Sequence, residues 1–498
     1  MSESTTSDIQ SGARLPRWLW ISLGVLTLLT YTVGLNFPLV GPDEPRYAQV
    51  AREMLERGDW ITPMLGGHTW FEKPALLYWL EIVSYRIFGV SEAAARFGPA
   101  LCGLGTVLAL YVIGRTLQNE RGCGIGGYLA LAGASTLGLI VFAHGASFDI
   151  VVTFPIAASL AAFWCYEQGR RPDASLVLFY VFVGVALLAK GLIGILFPFA
   201  AVGLYYVLAW KAPSTKLLLS LVWGSAVAAA VASLWYVPMY LRYGWQFIDE
   251  FIIQHHFQRF TSNKYQHPQP FYFYLWVLPL MTLPWLTFVL GGVWKAVKMA
   301  LRRVPNRLVS AGSLRLFALS WIIVPLAFFS ISGSKLPGYI LPAVPGAVIL
   351  GALVAHDLAS RSRAWKIGIV STSAVTLTVS LGLVLTVVPG YAANDSVKPL
   401  ISEADARGYA NSRVILLHTI SHNAEFYAPG RLERDDKGQL VGHLGTGEIA
   451  ELLRSTGEAS VLVIVPNEYA PQLDGSSELG STPITHNTEL TITAVTLR

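Results

Sequence analysis

The residues able to do chemistry are few and sit beside long apolar runs. The first group is "GPDEPRYA", in which Asp43, Arg46 and Tyr47 stand at i, i+3 and i+4 and so share one edge of a helix. "FEKP" adds Glu72 and Lys73, "ASFDIVVTF" adds Asp149, and "LLAKGLIG" adds Lys190. "IIQHHFQRF" carries His255 and His256, and "SGSKLPGYILP" carries Lys335 and Tyr339. A carboxylate can take a proton from an acceptor or orient it. Lysine and arginine can neutralise a phosphate as its bond breaks. Together these types suit an anionic lipid-phosphate substrate.

Each residue also has a plainer structural reading. Asp43 suits an N-cap and Pro45 a first turn. Lys73 and Lys190 suit snorkelling side chains at span ends. Asp149 suits a helix N-terminus, and Tyr339 an interfacial belt. Two adjacent histidines diverge on a helix, so His255 and His256, even with Glu72 or Asp43, are a weak zinc pattern. Placement on one face of a membrane is what favours chemistry.

The elements that must position these residues are membrane helices. The 498-residue chain is 53% hydrophobic and only 13% charged, against about 25% charged in soluble domains. About eleven apolar segments are long enough to span a bilayer, near 18–38, 93–113, 122–143, 147–165, 174–190, 192–210, 217–240, 270–291, 316–331, 336–355 and 365–389. "PALLYWLEIVSYRIFGV", with Glu81 and Arg86, is an interfacial or re-entrant helix or part of a further span, giving about 11–13 in all. The first helix reads as a retained span, because no small-residue cleavage site follows it. The net charge of +5 is spread over short loops, which argues against a nucleic-acid partner. Cys102, Cys123 and Cys165 have no metal spacing.

With Arg14 and Arg17 placed in the cytoplasm, alternate loops carry Arg115 and Arg121, Arg170 and Arg171, Lys211 and Lys216, the basic stretch "KAVKMALRRVPNRLVSAGSLR", then Arg361, Arg363 and Lys366. This is the positive-inside pattern. The acidic, lysine and histidine motifs then fall on the outer face, where ionisable groups near spans mark functional sites. "DEPRYAQVAREMLER" reads as an amphipathic interfacial helix, apolar at Tyr47, Val50, Ala51, Met54 and Leu55, polar at Gln49, Arg52, Glu53, Glu56 and Arg57, and stopped by Gly58. The division expected is a membrane domain over 1–391 and an outer soluble α/β domain over 392–498. There "RVILLHTI" and "ASVLVIVP" read as strands and "TGEIAELLRS" as a helix.

"DEPRYA", "REMLERGDWITP", "FEKPALLYWL", "LAKGLIG", "HHFQRF", "HPQPFYFYLWVLPLMTLPW" and "SKLPGYILP", in that order over roughly residues 40 to 350, resemble the bacterial aminoarabinose transferases that modify lipid A. Those belong to the protein O-mannosyltransferase-like group of GT-C glycosyltransferases. The resemblance implies a GT-C membrane enzyme at the periplasmic face of the bacterial inner membrane, using a polyprenyl-phosphate-linked sugar, typically on undecaprenyl phosphate, and inverting the sugar carbon. It implies Asp43 as leading catalytic residue, with Asp149 as a second acidic position. Arg46, Tyr47, Glu72, Lys73, Lys190, His256 and Tyr339 are implied around the lipid phosphate. The family's usual "EKPP" is "EKPA" here. No cofactor is required on this reading, and a divalent metal near Glu72 and His256 is possible but not predicted. Lipid A is the acceptor the resemblance suggests. Protein or another envelope glycan as acceptor, or a lipid-linked sugar transporter, are the alternatives. A transporter would call for polar groups reaching the cytoplasmic side or a repeat-related midplane site, and the sequence shows neither.

Overall fold

The computed structural model describes residues 16–117, 124–258, 269–302, 310–436 and 438–498. The described residues pack as two units: those within 1–33, 71–77 and 96–381, and those within 34–70, 78–95 and 382–498.

The first unit is helical. Each of the eleven predicted segments coincides with a helix or with a bent pair of helices. Among the described residues, seven helices are long and apolar enough to cross a membrane, or nine if each bent pair is one span. The pairs are Ile125–Ala134 with Leu137–Ala143, bent by 57°, and Tyr274–Met281 with Leu286–Leu301, bent by 119°. Arg17–Thr32 and Ile193–Leu208, at 16 residues each, are shorter. Burial separates centre from periphery. The span Pro337–Ala359 is 94% buried, whereas Thr215–His255 is 28% buried and shows its apolar side chains outward. A helix apolar all round belongs inside, or against lipid. Close helix contacts use small residues: a Cβ on Gly292 would meet the Leu350 carbonyl oxygen at 2.5 Å.

The second unit holds the amphipathic helix Asp43–Arg57, which ends at Gly58 in the left-handed conformation (φ 66°), as the sequence predicts. A short hairpin follows, β1 (Met64–Leu65) paired with β2 (His68–Thr69). The helix Leu76–Phe88 has 13 residues. At about 1.5 Å per residue that is too short to span a bilayer, which selects the interfacial or re-entrant reading. Within this unit Trp79 donates to the Trp60 carbonyl at 2.7 Å and Tyr85 to that of Ala48 at 3.2 Å. Glu81 is fully buried there. Burial, with a smaller contribution from the Glu44 charge, pushes its carboxyl well above the usual range.

The remaining strands are β3 (Val414–Leu417), β4 (Gly442–His443), β5 (Val461–Pro466), β6 (Leu479–His486) and β7 (Leu490–Leu497). They form one sheet in the order β4-β3-β5-β7-β6. β3 runs parallel to β4 and β5, and β7 antiparallel to β5 and β6. Alternate side chains face opposite sides. Val414, Leu416, Leu462 and Ile464 join one core, Ile415, Leu417, Val463 and Val465 the other. Leu400 and Ile401 of the helix Lys398–Ala404 belong to the first core, Ile449 and Leu453 of the helix Thr446–Thr456 to the second. The two predicted strands and the predicted helix are present; β4, β6 and β7 are additions that sequence reading missed.

Candidate active site

Glu72, Lys73, Lys190, His255 and Tyr339 of the first unit line one cavity of about 450 Å³, and Asp149 is bonded to Lys190 at its edge. Three kinds of local structure deliver them. Phe71 anchors "FEKP": it is buried and stacks edge-on with Tyr243 and Phe247, at 4.9 and 5.9 Å between ring centroids. That fixes Glu72 and Lys73, both lining the cavity, with Lys73 Nζ 3.2 Å from Glu72 Oε1.

Helix ends deliver the second pair. Ser147 caps the helix Phe148–Glu167, its hydroxyl accepting the Asp149 N–H at 3.1 Å. Asp149 therefore lies in the first turn, where a carboxylate is favoured. Lys190 ends the neighbouring helix Pro172–Lys190, where a cation is favoured. The Lys190 ammonium donates to Asp149 Oδ1. It also lies 4.6 Å from the Tyr339 ring centroid. Lys190 is thus held inside the unit by two partners, in place of the snorkelling alternative.

The third device is the 3-10 turn Pro337–Ala343. Tyr274 donates its hydroxyl to the Leu336 carbonyl at 3.0 Å, and Trp321 Nε1 donates to that of Pro342 at 2.7 Å. Between these ties, Tyr339 packs on Phe329, with ring centroids 5.3 Å apart. Gly338 must lack a side chain, since a Cβ there would meet Asp149 Oδ2 at 1.9 Å.

The cavity wall is otherwise apolar, with Leu192, Ile193, Leu196, Phe328 and Phe329, plus Ser332, Ser334 and His255. The predicted histidine was His256. Its side chain lies outside the described residues, whereas that of its neighbour His255, carried by the π-helical turn Ile248–Gln258, lines the cavity. His144 is buried, with Nδ1 2.8 Å from the Ile140 carbonyl. Lys335 turns back to the Ser332 carbonyl at 2.5 Å. Among the described residues no group of three or more His, Cys, Asp and Glu side chains is placed to hold a metal ion.

Asp43, Arg46 and Tyr47 belong to the second unit, on the helix Asp43–Arg57. They do share an edge. Asp43 Oδ1 accepts from Arg46 at 2.5 Å, Arg46 lies 5.6 Å from the Trp70 ring centroid, and Tyr47 is edge-on to Tyr78 at 6.5 Å. One expectation is corrected. Pro42 is the N-cap, and Asp43 is the first helical residue with no capping bond. Arg46 takes the Asp43 carboxylate, and Glu44 instead reaches back to the Val40 N–H at 3.0 Å.

The helical core and the lipid-like cavity define a multi-pass membrane protein of GT-C architecture. Solved structures agree in fold. ArnT from Cupriavidus metallidurans, bound to undecaprenyl phosphate, superposes with a TM-score of 0.77 at 21% identity, covering 95% of this chain and 97% of that one. The oligosaccharyltransferase AglB from Archaeoglobus fulgidus gives 0.55 at 16% identity, over 91% and 70%. A profile described as dolichyl-phosphate-mannose-protein mannosyltransferase matches residues 19–253.

The undecaprenyl phosphate-α-4-amino-4-deoxy-L-arabinose arabinosyl transferase of Yersinia pestis is 30% identical over 427 residues, 80% of this chain and 72% of the relative. The same-named protein of Serratia proteamaculans is 30% identical over 384 residues, 73% of this chain and 64% of its own length. The chain belongs to this family of undecaprenyl phosphate-aminoarabinose arabinosyl transferases. Its match spans a little under two thirds of the length of the Serratia relative.

Proposed function

We propose that the chain is an integral-membrane glycosyltransferase that moves a sugar from undecaprenyl phosphate to lipid A at the periplasmic face of the inner membrane. The observation that carries this reading is the cavity of the first unit. Two lysines, each beside a carboxylate, line or adjoin a pocket whose other walls are apolar and aromatic. A phosphate on a polyprenyl chain needs that combination: cations for its head and hydrocarbon contact for its tail.

As the glycosidic bond breaks, negative charge grows on the departing phosphate. Lys73 and Lys190 stabilise it, with Arg46 as a further cation, because charge oriented before the reaction is a large catalytic contribution. Glu72, Tyr47, Tyr339 and His256 shape the site and orient the donor. For a hydroxyl acceptor, Asp43 is the general base. For a phosphate acceptor, already ionised, Asp43 orients it or stabilises the oxocarbenium-like sugar, and Asp149 serves as the second acidic group. The donor brings its own leaving group, so no cofactor is required. The N-terminus is cytoplasmic and the α/β region periplasmic, as the loop charges support.

Mass spectrometry of lipid A, lipid-linked sugars and envelope glycoproteins, with and without the gene, tests the reading. Loss of a pentose-type amine from lipid A, with the donor accumulating, is the expected result. Unchanged lipid A with loss of a glycan elsewhere moves the acceptor to protein or another envelope polymer. Donor accumulating on one membrane face with no lost product supports a transporter instead.

A further inference from the structure

The amphipathic helix Asp43–Arg57 has a polar face that the transfer reaction leaves unused. Gln49, Glu53 and Glu56 recur at i, i+4 and i+7 and so share it. The sequence makes this the water-facing side of an interfacial helix. In the structure it is one wall of a second cavity, of about 640 Å³. The hairpin turn at Gly66 and Gly67 is another wall, and the segment from Glu425 to Arg434 a third. All of these residues lie in the second unit.

The floor is fixed before any ligand arrives. Gln49 is 4% exposed and Glu425 2%. Gln49 Nε2 donates to Glu53 Oε1 at 3.1 Å, and Glu53 also accepts the N–H groups of Gly66 at 2.7 Å and Gly67 at 3.3 Å. Arg434 donates to Glu425 Oε2 at 2.7 Å. Arg434 lies so close to the hairpin that a Cβ on Gly66 would meet its Nε at 2.0 Å. The mouth is open, with Glu56, Gly67, Pro429 and Gly430 exposed.

We propose that this cavity binds carbohydrate, taking one or two sugar rings by their hydroxyls. The volume lies in the range of small-molecule sites, about 300–1,000 Å³. A hydroxyl both donates and accepts, and this wall offers both roles: carboxylate oxygens with lone pairs beyond those already used, beside an amide and a guanidinium. Pro429 and Leu432 give an apolar surface for the C–H face of a ring. Three carboxylates against Arg434 disfavour a phosphate or other anion. A bare metal ion is disfavoured too, because no three ligating side chains converge among the described residues. Groups held in place this way reduce the ordering cost of binding.

The test is saturation-transfer NMR on the full chain in lauryldimethylamine oxide, a detergent without sugar, using methyl β-glucoside and glucose 6-phosphate as probes. Transfer to the glucoside is expected, weaker for the phosphate. Affinity should fall about three- to tenfold in Glu56→Gln and in Gln49→Leu, the worth of one hydrogen bond each. Glu56 is on the exposed rim, so its variant is the one that keeps the fold. Hydrogen exchange of the wild type, with and without glucoside, should show slowing in 64–69 and 425–434. No transfer to the glucoside, stronger transfer to the phosphate, wild-type affinity in both variants, or no change in exchange would each overturn the site. Binding is read without any sugar transfer, so the result is independent of the reaction proposed above.

Discussion

Asp149 in the first unit and Asp43 in the second are held in different ways. Asp149 is capped by Ser147, bonded by Lys190 and backed against Gly338, and its side chain is 16% exposed. Asp43 is half exposed and bonds an arginine three residues on. An i,i+3 pair on a helix surface adds only about 0.2–0.5 kcal/mol, and this one is partly exposed. Asp43 is therefore nearly dispensable for folding, whereas Asp149 is built into the junction of two helices and a turn. A carboxylate kept where it does little for stability is free to serve chemistry, and one that ties elements together serves geometry first.

The largest effect that would sharpen this contrast comes from Asp43→Asn. Transfer should fall about a hundred- to ten-thousand-fold where Asp43 acts as the general base, and should also fall where it orients a phosphate acceptor, while thermal unfolding stays in place. Full activity in that variant would remove Asp43 from the mechanism. Next, Lys73→Ala should weaken donor binding about 10- to 100-fold, the worth of a charge-assisted hydrogen bond, with acceptor binding unchanged. Equal loss of both affinities would count against a phosphate role.

Asp149→Asn should cost stability as well as activity. Removing one partner of a fully buried pair costs about 3–5 kcal/mol; with partial exposure we place this one at about 1–3 kcal/mol. Gly338→Ala should mimic it by displacing the same carboxylate, at about 1–3 kcal/mol for overpacking. If either variant melts like the wild type, the contrast with Asp43 breaks.

The smallest effect is in the acid limb of the second unit. Burial alone would raise the Glu425 carboxyl, but hydrogen bonds and charge from His422 and Arg434 outweigh it and hold the group below its usual value of 4.5. A depressed carboxylate contributes stability above its unfolded pKa and loses it as pH falls through the folded one. Melting followed below about pH 4.5 should therefore be less steep in Glu425→Gln than in the wild type.

Much of this was legible in the sequence, for identifiable reasons. Apolar runs located the spans because a bilayer demands continuous hydrocarbon, and Gly58 stopped its helix because only glycine turns left-handed there without strain. The Asp43, Arg46, Tyr47 edge followed from helical spacing. What was hidden depended on contacts distant in sequence. Nothing local says that Lys190 meets Asp149, or that Gly338 leaves room for it. The one visible hint was a glycine beside Tyr339 in a segment otherwise rich in bulky residues. The cap at Asp43 failed as a prediction because the helix starts at Asp43 itself, with Pro42 at the N-cap, and the Asp43 carboxylate bonds Arg46. Strands β6 and β7 were missed because their outward positions carry Thr, Ser and His, which mute the apolar signal.

Lys73 and Lys190 each stand against a carboxylate of the same unit. These ion pairs leave the pocket close to electrically balanced, so it offers little to the soluble phosphates of the surrounding water. A ligand displaces those carboxylates profitably only if something besides charge holds it there, and the aliphatic and aromatic wall supplies that something to a lipid alone. On the proposed reading, discrimination between a lipid phosphate and a dissolved one arises as an exchange of ionic partners gated by hydrocarbon contact.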